Sequence, residues 1–169
     1  MSIKLLVIED DPDGAASVRD AATDAGFDVV VAATGEAGVT AFCEQRPALV
    51  LTDLVLPDID GIEVLRRILQ LDRRVPVIMM TAYGTVDSSV RALQAGAYDY
   101  IQKPLNLDEL ESTLHRAAET CRLRDSVNNL SASLRDKFSA RAMVAESEPM
   151  RAVIAQIEAL ADMIANVMS

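Results

Sequence analysis

Five short runs of nearly unbroken apolar residues, separated by longer stretches of helical period, constrain this chain more than any other feature. Ile3 to Ile8 is apolar apart from Lys4, and Asp28 to Ala32 carries Val29-Val30-Val31. Ala48 to Thr52 reads Ala-Leu-Val-Leu-Thr, Pro76 to Met80 reads Pro-Val-Ile-Met-Met, and Tyr98 to Ile101 is a weaker fifth run. Strands that do not alternate apolar with polar residues are buried on both faces, the habit of a parallel sheet. Helical stretches fall at about residues 13–25, 35–45, 61–71, 85–95 and from 107 onward. Gly26 and Gly96 stand where a left-handed helix stop is expected. Strand–helix units joined by right-handed crossovers predict an α/β fold, a doubly wound five-stranded parallel sheet. In such sheets ligands gather at the carboxyl ends of the strands, near the switch in strand order.

Those ends carry the chemistry. Glu9, Asp10 and Asp11 follow the first run, Asp53 the third, Thr81 the fourth, and Lys103-Pro104 the fifth. Carboxylates gathered in one crevice repel one another unless a cation sits among them. Oxygen ligands without histidine or thiolate suit a hard ion, so the expected cofactor is Mg²⁺, with Mn²⁺ able to replace it. A carboxylate beside that ion, an ammonium and a hydroxyl make a phosphoryl site. Asp53 is the candidate nucleophile, forming an acyl phosphate. Lys103 neutralises the phosphoryl oxygens and Thr81 donates a hydrogen bond to one of them. Taken singly, each residue has a plainer reading as a helix cap or turn; the joint order makes the case.

Composition narrows the classes. Twenty-six acidic residues against 16 basic give a formal charge of −10, with no basic run for phosphate neutralisation, so no direct nucleic-acid binding by this chain is expected. Two separated cysteines, Cys43 and Cys121, make neither a disulfide scaffold nor a zinc site. The apolar opening is too short for a signal peptide or membrane span, so a cytoplasmic protein without membrane attachment is expected.

Two motifs imitate other sites. Glu9, Asp11, Asp13, Gly14 and Asp20 mimic calcium-loop spacing, but Pro12 lies inside the loop and a strand precedes it. Asp58-Ile59-Asp60-Gly61 looks like an acid–base pair and reads better as turn chemistry after Pro57. His115, the one histidine, is expected on the last helix facing solvent, with phosphotransfer as the alternative. That helix carries Leu110, Leu114, Ala117 and Cys121 at spacings of four, three and four. Leu123, Val127, Leu130 and Leu134 repeat the spacing in a shifted register. The stripe suits either one amphipathic helix packed on its own domain or a coiled-coil dimer seam, and its length favours the seam.

With these residues in view, positions 3–120 resemble the bacterial response-regulator receiver, through VIEDD, LTDLVLPDIDG, MMTAYG and AYDYIQKP. The resemblance implies strand order 2-1-3-4-5 and a phosphoacceptor at Asp53. It implies Mg²⁺ held by Asp10 directly, by Glu9 through water, by Asp53 and by the carbonyl of Val55. It further implies Thr81 as switch hydroxyl, Tyr100 as switch aromatic, Lys103 on the phosphate and a cis bond before Pro104. Leu56 and Leu105 depart mildly from its pattern. The stretch TAYGTVDSSVRALQAGAYDY, the long helix and AESEPMRAVIAQIEALADMIANV resemble activators that work with the alternative sigma factor, in which a receiver and coiled linker precede a ring-forming ATPase.

The implied organisation is a receiver at 1–120, an extended fifth helix and dimerisation linker at 107–137, and the opening of a truncated ATPase domain at 138–169. No GxxxxGK occurs, so no ATP binding is expected. The implied partners are a sensor histidine kinase and a second copy of the chain through the linker. The chain is expected to be no enzyme beyond slow self-dephosphorylation. Val55 and Tyr83, each two residues past a site residue, are placed to screen the acyl phosphate from water. A Mg²⁺-dependent phosphatase is the enzyme rival, but it needs a second Asp where Val55 stands. A flavodoxin-like cofactor binder lacks a Gly-rich phosphate loop, and a purely structural dimeriser would not need the acidic pair, Thr81 and Lys103.

Overall fold

A computed structural model describes residues 2–82 and 86–124. Its elements run β1 (Ile3–Ile8), α1 (Pro12–Asp24), β2 (Phe27–Ala32), α2 (Gly35–Gln45), β3 (Leu49–Asp53), α3 (Gly61–Leu71), β4 (Val77–Thr81), α4 (Val86–Gln94) and β5 (Asp99–Gln102). A further helix, α5, covers residues 107–124. The five strands form one sheet in the order β2-β1-β3-β4-β5, all neighbours parallel. This is the doubly wound sheet and the strand order expected. Compact unit one spans Met1–Leu123, and the second unit spans residues largely beyond those described.

Unbroken apolar strands become two cores because side chains alternate across the sheet. Leu5, Val7, Leu49, Leu51, Ile78 and Met80 face one side, against Val18 of α1 and Leu110 and Leu114 of α5. Leu6, Ile8, Val50, Val77 and Met79 face the other, against Phe42 of α2, Ile62, Leu65 and Ile68 of α3, and Ala92 of α4. β3 and β4 are buried throughout, whereas the edge strands β2 and β5 are buried only in part.

The chain turns are read from local chemistry. Gly26 and Gly96 take φ of 90° and 103°, the left-handed stops expected of them. Arg46 ends α2 at φ 47°, without a glycine to announce it.

The seam is corrected in its first half. Leu110, Leu114 and Ala117 are 0–1% exposed inside their own domain, and Cys121 is half-buried with its thiol donating to the Ala48 carbonyl at 3.4 Å. These residues cover the sheet, whose apolar face needs a helix, and so are not available to a partner. Leu123, in the shifted register, is 62% exposed. Val127, Leu130 and Leu134, and the expected ATPase opening at 138–169, lie outside the described residues.

Candidate functional site

From β1 the chain leaves toward β2 on one side of the sheet, and later reaches β3 on the other side of β1. The carboxyl ends of β1 and β3 therefore flank the switch in strand order, where a crevice opens. Glu9 and Asp10 follow β1 directly and Asp53 closes β3. One carboxylate oxygen from each lies within 4.8 Å of the other two. Glu9 and Asp53 are buried and Asp10 is exposed, so the cluster has a sunken floor and an open lip.

Lys103 reaches into this cluster from the end of β5. Its Nζ donates to Glu9 Oε2 at 2.6 Å and also to Asp53 Oδ2. The other Asp53 oxygen, Oδ1, accepts the Val55 N–H at 3.1 Å. Glu9 Oε1 accepts the Asp11 N–H at 3.3 Å. Burial pushes the Glu9 carboxyl above its ordinary value, and the Lys103 ammonium pulls it only part of the way back. Burial works against the Lys103 ammonium too, but its hydrogen bonds to Asp53 and Glu9 outweigh that and hold it above the ordinary lysine value.

The donor set fits a hard divalent cation. Two unit charges 4.8 Å apart repel by about 3.5 kcal/mol at an effective dielectric near 20. Three ionised carboxylates against one ammonium leave a surplus of two negative charges, which a divalent ion cancels. All three protein donors are oxygens, as such an ion prefers.

The remaining expected residues distribute as follows. Thr81 is 3% exposed at the end of β4, and its carbonyl accepts the Lys103 N–H at 2.7 Å, bringing both residues to one strand end. Lys103-Pro104 is cis, as the resemblance implied. Tyr100 lies on β5, 38% exposed. Val55 is 60% exposed beside Asp53. Tyr83 lies outside the described residues. His115 is more than half exposed, near Glu111 and with its ring centroid 5.4 Å from that of Phe27.

The response regulator receiver domain, as a sequence pattern, matches residues 5–115. The chain belongs to this receiver family. The chain is 33% identical over 131 residues to the regulatory protein AtoC of Escherichia coli, covering 78% of this chain and 28% of AtoC. It is 32% identical to the C4-dicarboxylate transport transcriptional regulatory protein DctD of Pseudomonas aeruginosa, over 98% of this chain and 36% of DctD. Among solved structures, the signal receiver domain of a LuxO repressor protein from Vibrio parahaemolyticus matches with TM-score 0.72 and 32% identity, covering 75% of this chain and 98% of that one. The chain spans about a third of the length of these curated relatives. No helix among the described residues is long and apolar enough to cross a membrane.

Two acidic residues near the receiver site have jobs that sequence reading missed. Asp11, which follows the acidic pair, caps α1: its carboxylate accepts the Gly14 N–H at 2.9 Å. That also accounts for the calcium-loop mimicry, since Asp11 serves a helix there. Asp58, read as turn chemistry for the next helix, instead accepts the N–H groups of Gly35 and Glu36, both at 2.8 Å, at the start of α2. Asp60 is the residue that caps α3, through the Ile62 N–H at 2.8 Å. The Asp11 cap was visible as an Asp before Pro at a helix start; the Asp58 contact spans more than twenty residues and had no local signal.

Proposed function

We propose that this receiver accepts a phosphoryl group on Asp53 from a sensor histidine kinase, with Mg²⁺ bound by Asp10, Asp53 and the Val55 carbonyl, and by Glu9 through water. The observation that carries this reading is the meeting of Glu9, Asp10 and Asp53 within 4.8 Å, with the Lys103 ammonium on two of them. An Asp53 Oδ attacks the phosphorus of the kinase's phosphohistidine; the P–N bond breaks as the O–P bond forms, the imidazole leaves, and the resulting acyl phosphate is the signalling form. Lys103, now divided between Glu9 and Asp53, moves its charge onto the phosphoryl oxygens. Thr81 donates its hydroxyl to one of those oxygens, and Tyr100, now on the surface, turns inward behind it. When bound, Mg²⁺ supplies the positive charge that carboxylates and phosphoryl oxygens share.

The output is a switch, not turnover of a substrate. Two populated states of the surface formed by α4, β5 and α5 shift their balance on phosphorylation. The likeness to the regulatory protein AtoC and the transcriptional regulatory protein DctD supports an output in transcriptional control; in this reading the output is an activator that works with the alternative sigma factor, and the residues beyond Arg124 make the dimer contact. No nucleic acid is bound by this chain itself in this reading, and Mn²⁺ serves in place of Mg²⁺.

Labelling with phosphorus-32 acetyl phosphate tests the pocket. The native chain takes up label with Mg²⁺ or Mn²⁺ and loses the ability in EDTA, and Asp53→Asn takes up none. Uptake by Asp53→Asn at the native rate overturns the assignment.

A further inference from the structure

The loop from Leu54 to Asp60 joins β3 to α3, and both of its ends meet at Asp53. At its start, the Leu54 N–H bonds the Met80 carbonyl at 2.8 Å, and the Val55 N–H bonds Asp53 Oδ1 at 3.1 Å. At its close, the Gly61 N–H returns to the Leu54 carbonyl at 2.9 Å. Any shift of this loop is therefore felt at the Asp53 carboxylate.

The loop's tip is tied elsewhere. Asp58 spans to the amino end of α2, where its two oxygens accept the first two helical N–H groups, Gly35 and Glu36. Those bonds, the Glu36 one foremost, hold its carboxyl down to about 2, so it remains an anion at any working pH. The third N–H of α2, on Ala37, is met by Thr34 at 3.2 Å. Two residues thus divide the capping of one helix, and only Asp58 belongs to the loop.

The anchor point is itself braced. Glu36 accepts from Arg67 at 2.8 Å, and Arg67 also bonds Glu63 at 3.0 Å, so α2 is fastened to α3 near the place where Gly61 closes the loop. Leu56 and Ile59 give the loop an apolar footing, but packing has little direction. The Val55 side chain is mostly in solvent and holds nothing. Directional restraint of the tip falls to Asp58.

We propose that Asp58 is a positioning residue for phosphoryl transfer: by capping α2 with both oxygens it fixes the β3–α3 loop, and through it the Val55 amide that orients the Asp53 carboxylate. The proposal rests on Asp53 as phosphoacceptor. Misplacing a reacting group by a fraction of the distance that costs 10²-fold gives an expected loss of about tenfold.

The full chain is compared as native, Asp58→Ala, Asp58→Asn and Thr34→Ala, each with Mg²⁺ and acetyl phosphate, with melting temperature measured alongside. Thr34→Ala removes a cap from the same helix without touching the loop. Asp58→Ala labels roughly tenfold more slowly than native, Asp58→Asn falls between because its amide oxygen keeps one bond, and Thr34→Ala melts lower but labels at the native rate. In nitrogen-15 correlation spectra without phosphate, the Val55 amide shifts in both Asp58 variants and not in Thr34→Ala. If Asp58→Ala does not fold, Asp58→Asn alone is decisive. Native labelling in both Asp58 variants, or a loss matched by Thr34→Ala, overturns the proposal while leaving Asp53 in place. A native chain that takes no label overturns the phosphoacceptor and Asp58's role together.

Discussion

At Gly61 the backbone passes so near the end of β3 that a Cβ would lie 2.1 Å from the Asp53 carbonyl oxygen and 2.9 Å from the Leu54 Cα. Neither atom belongs to a side chain that can rotate away, so relief requires the loop itself to move. Gly61→Ala is expected to lose about 1–3 kcal/mol and to label at Asp53 more slowly, measured by thermal melting and acetyl phosphate uptake; native values in both would show that the loop yields freely. Across the same crevice Val55 is 60% exposed, two residues past Asp53. In the proposed phosphorylation cycle Val55 offers no base to orient water toward an acyl phosphate, and the sequence puts a tyrosine, not an acid, at the matching position 83. The double variant Val55→Asn, Tyr83→Glu is expected to shed phosphate roughly tenfold faster, followed as decay of labelled protein after donor removal, and equal lifetimes would defeat the idea. Which residues form the pocket was legible in the sequence, because Glu9, Asp10, Asp53, Thr81 and Lys103 each sit at a strand end and parallel topology gathers strand ends. How Asp58 is used was not legible: its partners lie 22 and 23 residues away, and only the packed loop reveals them.

Elements were legible to the degree that their signals are local. β1, α2 and α3 lie where apolar runs and periodicity place them, and Gly26 and Gly96 stop their helices as glycines do. The left-handed end of α2 at Arg46 had no such mark, since arginine has no preference for that conformation. α5 shows the harder ambiguity. An apolar stripe at spacings of three and four is the same requirement whether a helix covers a sheet or a partner helix. Burial separates the two, and Leu114 is 0% exposed in the cluster with Leu5, Ile78 and Met80. Leu114→Ala is therefore expected to cost about 2–5 kcal/mol, read by denaturant unfolding, with no change in oligomeric state. A variant that unfolds like native yet alters the mass in solution would return Leu114 to a dimer seam.

For the molecule as a whole, the phase change in the stripe acquires a physical sense. Its first register is spent on the receiver's own core, and Leu123, the opening of the second, is exposed. The dimer contact proposed above is therefore assigned to the second register, Val127, Leu130 and Leu134, which lie outside the described residues. Each copy carries a formal charge of −10, so association works against like-charge repulsion and strengthens with added salt. To turn such a contact fully on or off, phosphate must favour one state by about 5.5 kcal/mol, the bias that moves a two-state balance from 1:99 to 99:1. A smaller bias still moves the average mass. Light scattering on the native chain, with and without beryllofluoride and Mg²⁺, is expected to give two different masses, with the difference dependent on ionic strength. Leu130→Lys puts a charge into the proposed second register, and it is expected to erase the mass difference while labelling at Asp53 stays native. A monomer of unchanged mass in both samples removes the dimer switch, and a Leu130→Lys protein that still changes mass moves the contact to another face of the receiver.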